Sequence, residues 1–321
     1  EADSTAGAMM FDIVGIGILV ILATALGWLA LRAWRSTSRI PKWVGATLSG
    51  LLSVVFVIAL VLALVGYYRL NRKYDNPVPE ITVQATPELL ARGARIVSFC
   101  AGCHGADEAL PLDGQDWSAE MPFPVGTIWA PNLTPAHLGA WSDGEIVRAI
   151  REGIHPSGRS LLFMPSIAFR NLSDADVHAI VAYLRSQAPV EPDSPPNRLN
   201  VLGAIMVTLG PAFEAQPPVT EPVVAPPAGP TAAYGEYLTS ITCAICHGED
   251  LGGSTMFEAP GLVGAGLGWT EEQFIEFMRT GVRPDGRAVD GEAMPWRLFS
   301  EFLADDDDLK AVFARMAALG S

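Results

Sequence analysis

The sequence predicts an all-α protein: two N-terminal transmembrane helices followed by two tandem helical modules that repeat one another. Three observations carry that prediction. Two long runs near the N-terminus are apolar and uninterrupted by charge. Beyond them, helix-capping signals precede stretches of helical apolar spacing, and strand signals are nearly absent. Finally, "FCAGCHG" at Phe99 returns as "TCAICHG" at Thr242, and flanking phrases return with it in the same order.

The apolar runs extend from Phe11 to Ala33 and from Trp43 to Tyr68. About 20 residues at about 1.5 Å each cross a hydrocarbon core of roughly 30 Å. Residues 1–75 therefore read as a membrane anchor with spans at about 11–33 and 43–68. The loop between them carries Arg32, Arg35, Arg39 and Lys42 and no acid, which places it in the cytoplasm and both chain ends outside. Arg69, Arg72 and Lys73 oppose this weakly, while Trp34, Trp43, Tyr67 and Tyr68 fall where interface aromatics belong. The opening "EADSTAGAMM" is acidic where a cleaved signal would be basic, so the spans are expected to stay in the mature protein.

Charge divides the chain. Of 35 acids and 21 bases, three acids and seven bases precede residue 75, leaving 32 acids against 14 bases in the outer part. Such a field argues against nucleic acid as a partner and suits solubility or a basic protein face.

The outer part opens on a short extended connector, "NPVPEITVQATP", from Asn76. The first module occupies 76–190, a proline-rich linker 191–230, and the second module 231–321. The linker's proline density predicts a semi-extended tether. Within it "LNVLGAIMVTLG", Leu199 to Gly210, is apolar and suits a helix lying on the first module or on the membrane surface.

The repeats run deep. "ARGARIVSFCAGCHG" parallels "AYGEYLTSITCAICHG", "APNL" at Ala130 parallels "APGL" at Ala259, "REGIHPSGR" at Arg151 parallels "RTGVRPDGR" at Arg279, and Met164-Pro parallels Met294-Pro. Order preserved over about 80 residues reads as one duplicated module. Thr86-Pro87 starts a helix that runs into Cys100, and Ser142, Ser173 and Thr270 each open capping-box patterns or near variants. Each module is thus a handful of short helices on glycine- and proline-rich loops, a fold that calls for a large apolar insert.

The cysteines say which insert. A zinc site would need four ligands at suitable spacing, and a thioredoxin-like dithiol would need a βαβ setting that is missing. All four cysteines instead stand in two Cys-x-x-Cys-His units, the mark of covalent haem c attachment. Cys100 and Cys103, and Cys243 and Cys246, are one helical turn apart and suit thioether bonds to the two haem vinyls. His104 and His247 then lie under the iron. Two covalently bound haem c groups follow, and attachment of this kind takes place outside the cytoplasmic membrane, in agreement with the loop charges.

The second axial ligand decides the chemistry. Met164 and Met294 come 60 and 47 residues after their histidines, each before a proline and at matching repeat positions. A thioether opposite histidine raises the potential and closes the coordination sphere, which favours electron transfer over ligand activation. Met121 is only 17 residues past His104 and has no repeat counterpart, and Met256 is only nine past His247. Met206, Met278 and Met316 stand at helical core positions. His137 and His155 could supply a bis-histidine site, although the repeat puts Arg283 opposite His155, and His178 reads as an ordinary helix histidine.

With these motifs the modules resemble class I c-type cytochromes over residues 85–188 and 231–320. Through "TIWAPNLTP", "WSDGEIVRAIREGI", "GRSLLFMP" and "LSDADVHAIVAYLRS", the first is similar to the cytochrome modules that accept electrons in membrane-bound alcohol, aldehyde and gluconate dehydrogenases. The resemblance implies small all-α domains, iron held by His104/Met164 and His247/Met294, and passage of single electrons. Those cytochromes usually carry three haem modules; this sequence has two and a two-helix anchor.

The expectation is a two-pass protein of a bacterial cytoplasmic membrane with its haem modules on the periplasmic side. It would relay electrons between a membrane complex (a quinol-oxidising complex, terminal oxidase or dehydrogenase) and a periplasmic or oxidase acceptor, such as a soluble cytochrome, without being an enzyme itself. The alternative is a dihaem peroxidase or thiosulfate-oxidising cytochrome, which requires one haem whose distal site is open or is held by histidine or cysteine. The acidic run Asp305–Asp308 is read first as a helix-opening feature and second as a docking patch.

Overall fold

The structure is a computed structural model that describes residues 12–121, 123–191, 194–210, 214–255, 258–263, 268–291 and 293–320. α1 (Ile13–Trp34) starts at Asp12, whose carboxylate accepts the Gly15 N–H at 2.8 Å. A π-helical turn, Pro41–Gly45, leads into α2 (Ala46–Asn71). The two pack as an antiparallel hairpin along small residues: Ser53 Oγ donates to the Ala23 carbonyl at 2.8 Å, and Gly50 and Gly45 face Ala30 and Ala33. Their outer faces are bare. Only 6% of the most apolar 18-residue window of either helix is buried, and both helices are long and apolar enough to cross a membrane.

The first module contains α3 (Pro87–His104), α4 (Pro135–Leu138), α5 (Asp143–Glu152), α6 (Ser166–Phe169) and α7 (Asp174–Ser186). Two antiparallel two-residue pairings join β1 (Gln115–Asp116) to β3 (Trp129–Ala130) and β2 (Gly126–Thr127) to β4 (Arg198–Leu199). The second contains α9 (Ala232–Ile241), α10 (Ala244–His247), α11 (Glu271–Thr280), α12 (Trp296–Phe302) and α13 (Asp306–Leu319). In each, the first helix crosses the last at a glycine. A Cβ on Gly93 would overlap the Ala179 carbonyl, and one on Gly235 the Ala311 carbonyl.

The duplication reaches individual hydrogen bonds. Capping boxes at Ser142/Glu145 and Thr270/Gln273 open α5 and α11, and left-handed Gly153 and Gly281 close them. Arg151 pairs with Asp174 at 2.7 Å and Arg279 with Asp306 at 2.9 Å, each tying that helix to the first residue of the module's last helix. The acidic run is accounted for in the same way: Asp305 caps α13 through Asp307 N–H, Asp307 pairs with Lys310, and Asp308 faces Arg95 at 3.4 Å.

The linker is extended, as its prolines predict, but it is fastened rather than free. β4 pairs with β2, α8 (Val201–Leu209) lies against α2, Gln216 and Val219 donate to Glu152 at 2.8 and 3.0 Å, and Asp174 donates to Val223 at 2.8 Å. The modules are also docked on each other. One buried apolar cluster runs from Ile96, Val97 and Val181 of the first to Leu238, Leu309 and Val312 of the second. A second cluster joins Tyr67 and Leu70 of α2 to Val125, Ile128, Leu199 and Val207, so the first module sits on the C-terminal end of α2.

Candidate haem sites

Each cysteine motif closes a helix that the sequence can be seen to build. Thr86 accepts the Leu89 N–H to start α3, Pro87 fills the first helical position, and the helix continues unbroken through Cys100 and Cys103 to His104. In the second module the helix breaks at Thr242, and Cys246 and His247 stand on the separate turn α10. No cysteine pairs with another; Cys103 is exposed and the other three are half-buried. Burial raises every one of them, pushing Cys100 up to about 12, so these are apolar-bedded protonated thiols and not activated thiolates.

The histidines are held identically. His104 Nδ1 meets the Pro131 carbonyl at 2.8 Å, and His247 Nδ1 meets the Pro260 carbonyl at 2.8 Å. Carbonyls only accept, so each Nδ1 carries the proton and each Nε2 is left as the lone-pair donor. Burial lowers His104 below the usual imidazole range, which keeps it neutral as a ligand must be. The backbone behind each histidine is fixed as well: Gly114 N–H donates to the His104 carbonyl at 2.8 Å and Gly253 N–H to the His247 carbonyl at 2.9 Å. Leu133 and Leu262 then bond back to Leu112 and Leu251, both at 2.8 Å. The two Ala-Pro-x-Leu phrases match in the sequence without any task being evident for Pro131 and Pro260. Their signal was that repetition, and their carbonyls turn out to orient the ligand rings.

Met164 and Met294 both lie half-buried against the shared apolar cluster. Each is followed by the same local bond, Ser166 N–H to the Met164 carbonyl at 2.8 Å and Trp296 N–H to the Met294 carbonyl at 2.7 Å. The competitors are placed elsewhere. Met121 and Met206 pack against the cluster at the end of α2, Met278 and Met316 are core residues, and Met256 lies outside the described residues. His155 bonds Ser157 Oγ at 2.8 Å and meets the Trp141 ring edge-on, His137 lies 5.5 Å from the same ring, and His178 is half-buried on α7. Among the described residues no three His, Cys, Asp or Glu side chains gather as a metal site, which leaves a zinc reading of the cysteines without its remaining ligands. A thiol pair with a neutral, carbonyl-oriented imidazole is the donor set that haem c uses.

Comparison with known proteins agrees with this donor set. Residues 90–188 match the family "Cytochrome c" and residues 230–314 match "Cytochrome C oxidase, cbb3-type, subunit III". The chain is 31% identical over 225 residues to one of the subunits of nicotinate dehydrogenase from Pseudomonas putida, covering 60% of this chain and 18% of that protein. It is 30% identical over 280 residues to the cytochrome c subunit of the quinone alcohol dehydrogenase of Gluconacetobacter polyoxogenes, covering 74% of this chain and 57% of that one. A diheme cytochrome c-type protein of Cereibacter sphaeroides is 25% identical over 269 residues, 70% of this chain and 86% of its own. The chain thus spans little more than half of the second relative and a smaller part of the first. Its two modules are cytochrome c domains binding two covalent haem c groups, and its relatives are the cytochrome c subunits of dehydrogenases and a dihaem cytochrome c.

Proposed function

We propose that this chain is the membrane-anchored electron-transfer subunit of a dehydrogenase complex, taking single electrons from a catalytic partner and passing them to a periplasmic or membrane acceptor. The observation that carries this is the equivalence of the two sites: the same histidine, the same carbonyl behind it and the same methionine-proline turn in both modules. In this reading Cys100, Cys103, Cys243 and Cys246 hold the haems, and His104/Met164 and His247/Met294 are the axial pairs. Haem c supplies a one-electron iron couple when bound. The chain's part is to set and protect it. The Pro131 and Pro260 carbonyls strengthen each imidazole as a donor and fix its ring, and a thioether on the other side favours the reduced state and closes both faces to small molecules.

The bare hairpin α1–α2 is read as a two-pass anchor with both modules on the outer side, supported by the basic loop Arg32–Lys42 and by the cluster that seats the first module on the end of α2. The test is extraction in mild detergent followed by identification of the proteins that stay bound. A catalytic partner carrying a flavin, quinone or molybdenum cofactor is the expected companion. Recovery with respiratory proteins only, or with none, would overturn the dehydrogenase assignment.

A further inference from the structure

The helix α8 stands out because it has no polar face. Its nine residues are Val201–Leu209, and their single polar side chain, Thr208, is turned onto the carbonyls of Leu62 and Ala204 at 2.6 and 3.2 Å. One side is buried: Val201, Ala204 and Val207 pack in the anchor-side cluster, and at the crossing with α2 a Cβ on Gly66 would overlap the Ala204 carbonyl. The opposite side is an apolar stripe. Leu202 and Leu209 are 46% and 68% exposed, with Ile205 and Met206 between them only half-covered. An apolar helix left half-bare in water has no counterweight for that exposure.

A second feature is independent of the stripe. At both ends of α8, backbone groups that a helix leaves open are taken up by side chains of the protein. Asp12 accepts the Val201 N–H at 3.3 Å, and Asn200 Oδ1 accepts those of Leu202 and Gly203 at 2.9 and 3.1 Å. At the other end the Arg69 guanidinium reaches from α2 to the carbonyls of Val207 and Thr208 at 3.3 and 3.1 Å, with Glu214 beside it at 3.5 Å. Side-chain caps also close α3, α5, α11 and α13, but a helix in contact with hydrocarbon has to satisfy its end groups internally because no water can take their place, and the ends of α8 meet that condition.

From these two features we infer that α8 is an interfacial membrane helix, its Leu202–Leu209 stripe inserted at the boundary between headgroups and acyl chains, where it seats the first haem module on the bilayer. The inference rests on the reading of α1–α2 as the anchor. The occupant is lipid because the stripe is continuous with lipid-facing surface: α8 crosses α2 at Gly66, beside the exposed Val61, Leu64 and Val65, and its first residue meets α1 at Gly15 near the exposed Ile13 and Val14. With α8 buried on one side with Val125, and with β4 just before it paired to β2, the module is fixed to the membrane plane instead of swinging on a tether.

The test uses the full haem-loaded chain in lipid nanodiscs. Thioether attachment leaves no free thiol, so single replacements Leu202→Cys, Leu209→Cys, Val57→Cys in α2 and Val224→Cys on the linker each take one nitroxide label. Collisions with oxygen and with a water-soluble nickel chelate are then compared by electron paramagnetic resonance. Labels at 202 and 209 are expected to favour oxygen several-fold over the label at 224, approaching the label at 57. Labels at 202 and 209 that match 224 while 57 stays in lipid would overturn this inference and leave the anchor intact. Chelate access at 57 would overturn the anchor and with it the inference. Should a cysteine variant fail to retain haem, the unaltered chain with a photoactivatable phospholipid answers the same question. Lipid adducts within residues 201–209 support insertion, and adducts confined to α1 and α2 reject it.

Discussion

Tyr237 of the second module donates its hydroxyl to the Asp176 carboxylate of the first, and the same oxygen accepts the Ser173 N–H at 3.0 Å. Ser173 Oγ donates to the same carboxylate oxygen at 2.8 Å and Arg92 to the other, so one buried carboxylate ties α3, α7 and α9 together. Around it Phe99, the residue before Cys100, lies 5.3 Å from Phe299 and 6.4 Å from Phe302 of the second module. The haem modules therefore form a fixed pair. Tyr237→Phe removes the donor and leaves the Ser173 N–H without an acceptor, at a cost of about 1–3 kcal/mol. Hydrogen exchange at Ser173 should then quicken by roughly five- to hundredfold, with both haems retained. Unchanged protection would mean that the hydroxyl does not hold the interface.

The same carboxylate gives the docking a pH dependence. Burial pushes Asp176 up, but the hydrogen bonds from Arg92, Tyr237 and Ser173 outweigh it and hold the group below the usual carboxylate range. A lowered folded value stabilises above the unfolded value of about 4 and is lost as pH falls through the folded one. The melting temperature should drop on acidification below about pH 4. Asp176→Asn should melt lower at neutral pH and show a shallower acid limb. Asp308 has the opposite sign, since burial, only partly offset by Arg95, raises it. Asp308→Asn should therefore gain on the parent as pH rises past the ordinary carboxylate value.

How much of this was readable in advance varies residue by residue. The two long apolar helices, the shorter helices and the duplicated module were legible because uninterrupted apolar runs, caps and repeated phrases are local signals. The histidines were legible for the same reason, but their Pro131 and Pro260 partners lie 27 and 13 residues away, and a backbone carbonyl leaves no mark on residue type. The docking of the modules was illegible. Nothing local to Phe99 or Tyr237 marks them as contacts across the modules, and the prolines of the linker predict its extension without predicting what fastens it. For α8 the sequence offered two resting places, the first module and the membrane surface, and the contacts place it between the first module and α2.

The helix crossings make the modules separately breakable. Gly235→Ala puts a methyl group into the Ala311 carbonyl, where α9 or α13 must shift, and overpacking of this kind costs about 1–3 kcal/mol. Gly93→Ala does the same against Ala179 in the first module. Each should lower haem incorporation in its own module and leave the other's cysteine adduct intact, as read by mass of the tryptic haem peptides. Gly17→Ala, on an α1 position with nothing within 4 Å, should leave both adducts unchanged.

Met164→Ala and Met294→Ala distinguish a closed relay from an enzyme. If the thioethers are the distal ligands, each change removes the group that favours reduced iron, so one of two midpoint potentials should fall sharply while the other stays. The altered haem should also bind carbon monoxide, which the parent should not. Met121→Ala serves as the comparison, because Met121 packs with Tyr67 and Trp117 in the anchor-side cluster, and it should leave both potentials in place. A parent protein that already binds carbon monoxide, or that turns over peroxide in its reduced form, would mean one distal face is open. The second module or the first would then be a catalytic centre, and the closed pair proposed here would be wrong.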